Sequence, residues 1–560
     1  MYQSFAVTAR PEQGPPRLQA LRAELAVQGL DGFLIPRADA HQGEYVAPRD
    51  DRLVWLTGFT GSAGFCAVLP DIAGVFIDGR YRTQIKTQVA DVYTAVPWPE
   101  TGLADWLIEQ MPSGGVIGFD PWLHTAGQIE QLTQALAGTG ITLNPTDNMV
   151  DAIWNDQPGP AMEPADSLCW LLNIRGADIH CNPVAQGFAV LHADARVDLF
   201  MADAKLDDVR DHLGAEVTAH DPDSFLTEIA KLTGPVRMEK SSVPFIVADT
   251  MGDSGTWGDD PCALPKACKN PAEIDGSASA HLRDGAAVVE LLAWLDAQAP
   301  GTVSEIDVVT KLEAYRRNDN ALQNISFDTI AGTGPNGAIN HYHVTEDTDL
   351  TLADGHLLVL DSGGQYLDGT TDITRTIPIG APGADECAAF TRVLMGMIAV
   401  SRLRWPAGLA GRDIEAIGRA PLWYAHQDFD HGLGHGVGAY LSVHEGPQRL
   451  SRASHVPLQP GMILSNEPGY YREGAFGIRI ENLLVVEPAT APAGGDAQRA
   501  MLSWRTLTFV PIDRRLILPD EMDKASRDWL NAYHTEVLEK IGPRVSPDAL
   551  IWLKNATAPI

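Results

Sequence analysis

Apolar positions alternate between two spacings over the first 150 residues. The stretch RLQALRAELAVQ at 17–28 places Leu and Ala at helical spacing, and Gly29 and Gly32 mark its end. Three short apolar runs, GFLIP, FCAVLP and GVFID, follow between turn residues and predict buried strands. A helical stretch near 125–138 and a strand GITL continue the alternation. This order of strands and helices predicts an α/β domain over residues 1–155.

The same order is repeated more loosely after a stretch rich in Pro and Asp at 153–167, which predicts a linker. A helical LCWLLNIRG precedes the strands GFAVLHA and RVDLFM, and a helical SFLTEIAKLTG follows them. We interpret residues 156–265 as a second, smaller α/β domain. The Gly- and Pro-rich residues 252–273 predict a second linker.

A third block, residues 266–500, opens with a helix over 275–298 and then turns to strands. The runs HLLVLDS, ITRTIPI, GMILSNE and IRIENLLVVE predict antiparallel strands, and CAAFTRVLMGMIAVSRL predicts a helix packed on one side of them. This block therefore reads as an α+β domain. The tail, residues 501–560, contains two helical pieces with Trp529 and Trp552, which we expect to pack on a neighbour.

Composition and charge exclude several classes of function. The chain has 560 residues, of which 45% are hydrophobic, so it is long enough for about three globular domains. Its formal net charge of −32 repels nucleic acids and anionic membrane surfaces. We expect an acidic enzyme without a nucleic-acid or membrane partner.

Cysteine usage and the N-terminus indicate a cytoplasmic protein. The six cysteines are scattered without a CxxC pair, which is not the pattern of a disulfide scaffold, and we expect most of them to be buried. The first residues, MYQSFAVTARPEQGPP, lack the apolar segment of a signal peptide, and no run of about 18 apolar residues occurs.

Five residues that are potential metal ligands lie in the C-terminal part of the chain. Four carboxylates and one imidazole make an oxygen-rich set, which suits two divalent first-row ions such as Mn²⁺ and fits a structural Zn²⁺ poorly. Two ions about 3.5–4 Å apart generate hydroxide near neutral pH and polarise a carbonyl, so the set predicts a hydrolase. The five are Asp361 and Asp372 in DSGGQYLDGTTDITRT, His435 in HGLGHGVG, Glu467 in NEPGYY and Glu481 in GIRIEN.

The spacing of the two aspartates constrains the turn between them. Asp368-Gly369 is a hairpin turn signal. A two-residue turn there would place Asp361 and Asp372 on one face but four residues out of register, about 13 Å apart at roughly 3.3 Å per residue. They share an ion only if the connection is wider or bulged and centred nearer Tyr366-Leu367. Otherwise they are ordinary surface or turn residues.

Three histidines, His431, His435 and His444, fall within fourteen residues of each other in a chain that has 16. His431 and His435 have the spacing of one helix face, but alternate residues of HGLGHGVG are glycine, each unfavourable in a helix by about 1 kcal/mol relative to Ala. We predict a tight loop in which glycine lets the backbone approach a metal or substrate.

Further polar residues flank these candidates. In FGIRIEN the isoleucines alternate with Arg479 and Glu481, so one face of the predicted strand presents both charges. Arg479 would orient a ligand carboxylate and stabilise an oxyanion, or else form a cross-strand ion pair. His341 follows a GPNG turn, and we expect it at the mouth of the same pocket, donating to a peptide carbonyl. His343 has the same local opportunity without a clear role.

These motifs together resemble the creatinase/aminopeptidase superfamily of pita-bread fold, and more narrowly the long, three-domain Xaa-Pro aminopeptidases of peptidase family M24B. The resemblance covers nearly the whole chain. The segments that carry it in the last block are GPNGAINHY, DSGGQYLDGTTDITRT, HGLGHGVGAYLSVHEGP and EPGYYREGAFGIRIEN. The earlier domains and the tail carry it in IPRADAHQGEYVAPRDDRLVWLTGFTGSAG, DGRYRTQ, LLNIRGADIHCNP, FVPIDRRLI and WLNAYH.

The resemblance implies two creatinase N-terminal-like α/β domains, 1–155 and 156–265, and an α+β pita-bread catalytic domain, 266–500. It implies a C-terminal extension, 501–560, that contacts a second copy in a homodimer. It also implies removal of an N-terminal residue that precedes proline, with two divalent ions, most commonly Mn²⁺ and alternatively Co²⁺ or Zn²⁺.

The resemblance further assigns roles to individual residues. The metal ligands would be Asp361, Asp372, His435, Glu467 and Glu481. The residues that bind substrate or handle protons would be His341, His431 and His444, with Arg80 of DGRYR in the substrate pocket. As a mechanistic hypothesis, Glu467 acts as general base as well as ligand.

One segment departs from the family pattern. After the first histidine the family commonly reads HYxPxxxTNR, whereas this chain reads HYHVTEDTDL. Val344 replaces the proline, and Asp349-Leu350 replaces the Asn-Arg pair. No expected ligand is lost, but the geometry and specificity of this loop are expected to differ.

Two other functions share much of this pattern. A prolidase-like dipeptidase that cleaves Xaa-Pro dipeptides uses the same ligand set. A non-catalytic protein of the same fold, or a metal-free creatinase-type hydrolase, would be expected to have lost ligands, and none is missing here.

Overall fold

The structure is a computed structural model that describes residues 1–158 and 166–560. These residues form two compact units. We call Thr8–Cys262 the N-terminal unit, and Met1–Val7 together with Ala263–Ile560 the C-terminal unit. The linker predicted at 153–167 includes residues 159–165, which lie outside the described part of the chain.

The first part of the N-terminal unit alternates helices and strands as the apolar pattern predicts. The Thr125 and Gln128 side chains form a capping box that starts one of its helices. Its elements are α1 (Gly14–Gln28), β1 (Gly32–Pro36), α2 (Arg52–Thr57), β2 (Phe65–Val68), β3 (Ala73–Ile77), α3 (Ile85–Gln88), β4 (Thr94–Pro97), α4 (Leu103–Gln110), β5 (Gly115–Phe119), α5 (Ala126–Ala135) and β6 (Ile141–Pro145).

Six of these strands form one mixed sheet in the order β4-β3-β2-β1-β5-β6. Successive residues of a strand point to opposite faces, so Phe33 and Ile35 belong to one apolar cluster and Leu34 to another. Helices α1 and α2 contribute to the first cluster, and α4 and α5 to the second. A sheet with helices on both faces confirms the predicted α/β architecture.

The second part of the N-terminal unit has two smaller sheets, β7-β8-β9 and β10-β11. Residues 252–273 are not a bare linker: Gly255–Trp257 pairs with Val236–Met238 as parallel strands, because Thr256 and Trp257 favour strands. Its elements are α6 (Asp166–Leu172), β7 (Phe188–Leu191), β8 (Val197–Phe200), α7 (Arg210–Leu213), β9 (Val217–His220), α8 (Phe225–Ile229), β10 (Val236–Met238), α9 (Phe245–Met251) and β11 (Gly255–Trp257).

The C-terminal unit contains the predicted strands and helices of the third block and the tail. Its helices are α10 (Ala263–Ala267), α11 (Pro271–Asp296), α12 (Glu305–Arg316), α13 (Ala384–Ser401), α14 (Gly411–Trp423), α15 (Lys524–Ile541) and α16 (Pro547–Ala556). Its strands are β12 (Leu322–Ile325), β13 (Ile330–Thr333), β14 (Leu357–Ser362), β15 (Gly364–Tyr366), β16 (Gly369–Thr370), β17 (Ile373–Pro378), β18 (Arg404–Pro406), β19 (Gly434–Gly436), β20 (Glu445–Leu450), β21 (Ile463–Asn466), β22 (Gly469–Arg472), β23 (Phe476–Arg479), β24 (Asn482–Pro488) and β25 (Met501–Thr506).

Antiparallel pairing builds the sheets of the C-terminal unit, as predicted. The largest has the order β18-β25-β24-β21-β19-β20, and a smaller one has the order β13-β14-β17. One large apolar cluster contains residues of α11, α12, α13, α14 and α15. The two tail helices add Leu530, Val537 and Leu553 to that cluster, so they pack within their own chain.

The Asp361–Asp372 hairpin is closed one residue earlier than the turn signal predicts. Strand β15 pairs with β16 through Gln365↔Thr370, which leaves Leu367-Asp368 as the turn, and β14 pairs with β17 in the same register. Gly369 is needed for a different reason, because a Cβ there would lie 2.8 Å from the Cα of Ser277 on α11. Asp361 therefore opposes Thr374, two residues from Asp372, and the predicted offset of four is wrong.

The run IRIENLLVVE was predicted as one strand, and the structure breaks it in two. Strand β23 ends at Arg479 and β24 begins at Asn482, so Glu481 lies in the break, where its backbone N–H donates to the Thr374 carbonyl at 3.1 Å. The alternation of residues was correct, but both faces of this segment are buried.

Helices in the described ranges all lack the combination of length and hydrophobicity that a membrane-spanning segment needs. The six cysteines, all in the described part of the chain, form no disulfide, and Cys268 is half-buried while the other five are buried, as the sequence predicts.

Candidate metal centre

The five candidate ligands lie at the ends or in the middle of antiparallel strands of the C-terminal unit. Asp361 is the penultimate residue of β14, and Asp372 precedes β17. His435 is the central residue of β19, Glu467 follows β21, and Glu481 separates β23 from β24. Residues that are up to 120 positions apart in the sequence thus converge through sheet pairing.

Ligand atoms of three residues, Asp372, His435 and Glu481, all lie within 4.8 Å of one another. The His435 Nε2 atom is 3.4 Å from the Asp372 Oδ2 atom and 3.6 Å from the Glu467 Oε1 atom. Asp361, Asp372 and Glu481 are buried, whereas Glu467 is half-buried. The arrangement gathers an imidazole nitrogen and several carboxylate oxygens at distances that suit cation binding.

The carboxylates destabilise each other's ionised forms. Burial raises the pKa of Asp372 well above its usual range, and the charges of Asp361 and Glu467 raise it further. Burial likewise raises the pKa of Glu481, and the charges of Asp372, Glu467 and Asp361 add to the effect. Such a concentration of negative charge calls for cationic compensation.

Two carboxylate oxygens give a direct test of whether cations fit. Within the described residues, Asp361 Oδ1 and Asp372 Oδ1 are buried and accept no hydrogen bond. Buried polar atoms are nearly always partnered, so these two oxygens point to ligands beyond the protein. Together with the chemistry of the donor set, they fit divalent metal ions.

Backbone contacts fix which nitrogen His435 presents. Its Nδ1 atom lies 3.0 Å from the Gly436 carbonyl oxygen, which only accepts, so Nδ1 carries the proton and donates. The Nε2 atom then presents a lone pair to the carboxylates, as a metal-binding histidine requires. The backbone N–H of His435 donates to Ser465 Oγ, which itself donates to Glu467 Oε1 at 3.3 Å.

The prediction that HGLGHGVG is not helical is confirmed, but His435 lies in a strand and not in a loop. Its glycines permit close strand packing: a Cβ on Gly434 would lie 2.0 Å from the Ser465 carbonyl oxygen, and one on Gly436 2.2 Å from that of Glu445. Two neighbouring strands thus pass too close to β19 for any side chain at these positions.

Arg479 pairs with Asp361 rather than with Glu481. Its Nη2 atom donates to Asp361 Oδ2 at 2.6 Å, and its Nη1 atom donates to the Tyr471 hydroxyl at 2.6 Å. The Tyr471 oxygen lies 3.0 Å from His431 Nε2, whose ring also donates through Nδ1 to the Gly432 carbonyl oxygen. A chain of hydrogen bonds, half-buried at His431 and Tyr471 and buried at Arg479 and Asp361, therefore joins His431 to Asp361.

Placement of the remaining candidates differs from residue to residue. The His444 ring lies edge-on to the His435 ring, with 4.2 Å between centroids. His341 is half-buried, three residues beyond the 3₁₀ turn Gly334–Ala338. His343 forms a weak contact with Asp328, at 3.6 Å. Arg80 belongs to the N-terminal unit, where its guanidinium pairs with Asp78 at 2.7 Å.

Known proteins resemble the chain along nearly its whole length. A probable Xaa-Pro aminopeptidase P of Talaromyces marneffei is 34% identical, with 97% of this chain and 92% of that protein covered. The chain belongs to the Xaa-Pro aminopeptidase P family. Aminopeptidase P2 of Arabidopsis thaliana is also 34% identical, over 95% of this chain and 86% of that protein.

Domain families match successive parts of the chain. Residues 277–488 match Metallopeptidase family M24, and residues 500–560 match the C-terminal region of peptidase M24. Residues 17–153 and 160–273 each match the Creatinase/Prolidase N-terminal domain. The two creatinase N-terminal domains and the pita-bread catalytic domain that the sequence predicts are thereby confirmed.

A solved structure matches the chain along nearly its whole length. The crystal structure of X-prolyl aminopeptidase from Caenorhabditis elegans, described as a cytosolic enzyme with a di-nuclear active site, superposes with a TM-score of 0.92. It is 30% identical in sequence, and the match covers 97% of this chain and 99% of that one. The C-terminal unit of the present chain is thus a metallopeptidase domain that takes two divalent ions.

Three residues of the centre were not predicted from the sequence. Tyr471 bridges Arg479 and His431, Thr374 donates to Glu481 Oε2 at 2.9 Å, and Ser465 joins His435 to Glu467. Tyr471 lies in the NEPGYY motif and Thr374 two residues from Asp372, so their positions carried a signal. Their side-chain partners depend on the pairing of distant strands, and the sequence gives no signal for that pairing.

Proposed function

We propose that the chain hydrolyses the bond between an N-terminal residue and a following proline in peptides. The cluster of Asp372, His435 and Glu481, with the unpartnered oxygens of Asp361 and Asp372, is the observation that carries the proposal. The five ligands would be Asp361, Asp372, His435, Glu467 and Glu481. We propose Mn²⁺ as the metal, because hard carboxylate oxygens dominate the set.

Bound there, two divalent ions would supply hydroxide near neutral pH and polarise the scissile carbonyl. Glu467 is half-buried at the edge of the cluster, where its carboxylate would accept a proton from the nucleophile and pass it to the leaving nitrogen. His444, whose ring lies against His435, would donate to the substrate carbonyl as its charge develops.

Two further histidines and two arginines complete the proposed site. His341 would contact the substrate, and His431 would hold or move a proton at its Nε2 atom through Tyr471. Arg479 donates through Nη2 to Asp361 and through Nη1 to Tyr471, so we propose that it orients Asp361 and does not stabilise an oxyanion directly. Arg80 stays a proposed substrate contact that rests on the family resemblance.

Selectivity for proline follows from the chemistry of the substrate. An Xaa-Pro bond is a tertiary amide without an N–H, and its ring fixes the backbone angle φ. Recognition therefore depends on shape beside the ring and on the free N-terminal amine, which would bind near the metal centre. Cleavage is thereby limited to the first bond of a peptide.

Substitution of ligands tests the proposal. Asp372→Asn and His435→Ala are expected to abolish hydrolysis of Arg-Pro-Pro and to lower the bound Mn²⁺ measured by elemental analysis. Asp528→Asn, at an exposed aspartate that pairs with Lys524 on α15, is the matched control and should retain both. Full activity of either ligand variant after metal depletion would overturn the assignment.

A prolidase-like dipeptidase is the alternative within the same chemistry. Comparison of Arg-Pro with Arg-Pro-Pro separates the two functions, because a dipeptidase needs the free proline carboxylate. A third possibility, a non-catalytic binding protein, predicts no hydrolysis of either peptide. We expect turnover of Arg-Pro-Pro to dominate.

We propose domain boundaries at 1–155, 156–265, 266–500 and 501–560, supported by the matched families.

We also propose a cytoplasmic homodimer that uses residues 501–560. Ile551 on α16 is 63% exposed and supplies an apolar surface for such a contact. Light scattering of the wild type and of Ile551→Glu tests the dimer and its contact surface. A wild-type dimer that Ile551→Glu dissociates supports both, and a wild-type monomer excludes both.

A further inference from the structure

Glu305, the first residue of α12, is a fully buried carboxylate (0% exposed) that the sequence analysis did not single out. It accepts hydrogen bonds from both ends and from the middle of one segment, residues 333–350, which we call the His341 segment. The donors are the Thr333 backbone N–H at 2.7 Å, the Asn336 side-chain amide at 3.1 Å, the Tyr342 hydroxyl at 2.9 Å and the Leu350 backbone N–H at 3.1 Å.

The His341 segment also touches a strand of the metal centre. A Cβ on Gly477 of β23 would lie 1.7 Å from the Gly337 carbonyl oxygen, so the two backbones are in close contact. Strand β23 ends at Arg479, which donates to Asp361. His341 thus lies between a backbone contact with β23 and the bond from Tyr342 to Glu305.

The part of the segment that departs from the family pattern contributes to the same clamp. Asp349 stands where the family has asparagine, and its Oδ1 atom accepts from the Ile306 backbone N–H at 3.0 Å. The Tyr342 hydroxyl also lies 3.0 Å from the Thr348 carbonyl oxygen. An acidic residue at a helix N-terminus is favourable, so HYHVTEDTDL keeps the segment attached to α12.

A carboxylate suits this position because its two oxygens accept up to about four hydrogen bonds and donate none. Burial raises the pKa of Glu305 to about 7, and the bonds from Thr333, Leu350, Tyr342 and Asn336 oppose that rise. Glutamine has nearly the same shape, but its NH₂ group would face donors and leave some of them unpaired.

We propose that Glu305 is a positioning residue for His341: it fixes the His341 segment at four points and thereby presents the His341 ring to the substrate. The proposal rests on the proposed function for its kinetic consequence only. The attachment of the segment to Glu305 is a property of the fold and is measured separately.

The experiment compares Glu305→Gln with Glu313→Gln. Glu313 is a second buried glutamate of α12, but it accepts from the backbone N–H of Tyr2 and makes no bond to the His341 segment. Hydrogen–deuterium exchange in residues 333–350 is expected to quicken in Glu305→Gln and to stay unchanged in Glu313→Gln. Unchanged exchange in both variants would overturn the proposed attachment whether or not the protein hydrolyses peptides.

A double-mutant cycle with His341→Ala tests the kinetic part. Glu305→Gln is expected to lower kcat/KM for Arg-Pro-Pro by about ten- to a hundred-fold while bound metal stays at the wild-type level. In the His341→Ala background the same change should cost less than about two-fold, because both variants lose the same interaction. If the two substitutions lower kcat/KM by factors that multiply in the double variant, or if Glu305→Gln loses bound metal, the positioning role is overturned.

Tyr342→Phe provides a milder variant in case Glu305→Gln does not fold. It removes one hydroxyl from Glu305 and leaves the carboxylate in place, so a smaller loss of the same kind, again coupled to His341, is expected. If Tyr342→Phe lowers kcat/KM by the same factor with and without His341, the result contradicts the proposal. A wild type that releases no N-terminal residue from Xaa-Pro peptides would overturn the proposed function and, with it, the kinetic role, whereas the exchange result would still decide the attachment.

Discussion

Thr374 lies beside the carboxylate cluster and contributes a hydrogen-bonding hydroxyl, but it is not one of the proposed metal ligands. Its Oγ1 atom donates to Glu481 Oε2 at 2.9 Å and accepts from Arg479 Nε at 3.3 Å, so it links two charged groups of the centre. A group that orients a metal ligand tunes affinity without touching the ion. Thr374 is buried, and valine would replace its hydroxyl by a methyl group of similar size that makes no hydrogen bond.

We therefore expect Thr374→Val to weaken divalent-metal binding by about ten- to a hundred-fold. Equilibrium dialysis with Mn²⁺ and elemental analysis measure the affinity. Thr391→Val is the control, because this buried threonine of α13 donates to the Cys387 carbonyl oxygen in the same unit. Equal metal affinity in the two variants would show that the Thr374 hydroxyl does not tune the ligands.

At the scale of residues, the sequence indicated the candidate ligands but not their partners. Asp361, His435 and Glu481 stand in local patterns of apolar runs, glycines and alternating charge that can be recognised one segment at a time. The bond from Arg479 to Asp361 joins residues 118 positions apart, whereas the alternation in the sequence showed only that Arg479 shares a strand face with Glu481. Which charge an arginine meets depends on how β23 packs against β14, and no local pattern encodes that.

Strand β19 shows how an element can be misread from glycine content. Glycine favours loops in isolation, so HGLGHGVG predicted one, whereas here the glycines let β19 lie close to its neighbours. By contrast, the strands HLLVLDS and ITRTIPI and the helix CAAFTRVLMGMIAVSRL were predicted correctly, because a buried face imposes a period that is visible in the sequence. The register of a strand and its close approach to a neighbour depend on the partner strand, so they were not predicted correctly.

Close packing of β19 leads to a second prediction. A Cβ at Gly436 would lie 2.2 Å from the Glu445 carbonyl oxygen, so Gly436→Ala should displace β19 and His435 with it. We expect Gly436→Ala to lower the unfolding free energy by about 1–3 kcal/mol. We also expect this variant to bind less metal. Gly432→Ala is the control in the same motif, since its Cβ would come no nearer than 3.5 Å to another atom. Similar denaturation midpoints and metal contents for both variants would contradict this explanation.

A buried ion cluster attaches strand β20, which follows His444, to residues near the start of the C-terminal unit. Glu445 pairs with Lys269 and, at 3.2 Å, with Lys266, and all three side chains are buried. Burial alone would raise the pKa of Glu445, but the two ammonium groups outweigh it and hold the pKa below its usual value. Ionised Glu445 therefore stabilises the fold above its unfolded-state pKa, and this contribution is lost as pH falls through the folded-state value.

Lys269→Met is expected to reduce the unfolding free energy at pH 7 by about 3–5 kcal/mol, because Glu445 would lose a buried partner. The pKa of Glu445 should rise in the variant, so its acid destabilisation should begin at a higher pH than in the wild type. Urea denaturation between pH 7 and pH 4 measures both effects. Lys524→Met removes an exposed lysine from a surface pair and serves as control; a pH profile like that of the control would contradict the role of Lys269.

At the scale of the whole molecule, the charge of −32 acts on every substrate that approaches. A peptide with a free N-terminal amine carries a positive charge at the end that is cleaved, and a negative field raises its local concentration around the protein. A tripeptide also carries a C-terminal carboxylate, so at neutral pH Arg-Pro-Pro has a net charge of about +1, Leu-Pro-Pro of about zero and Glu-Pro-Pro of about −1. Salt at physiological strength screens such attraction beyond about 8 Å.

We therefore expect kcat/KM for Arg-Pro-Pro to fall by about three- to ten-fold between low salt and roughly 0.3 M salt, with little change for Leu-Pro-Pro and a rise for Glu-Pro-Pro. Steady-state kinetics at saturating metal, with KCl varied and pH held constant, give the three slopes. Leu-Pro-Pro is the matched control, since it has the same length and lacks a side-chain charge. Three equal slopes would mean that only contacts inside the site, and not the field of the whole molecule, select among the peptides.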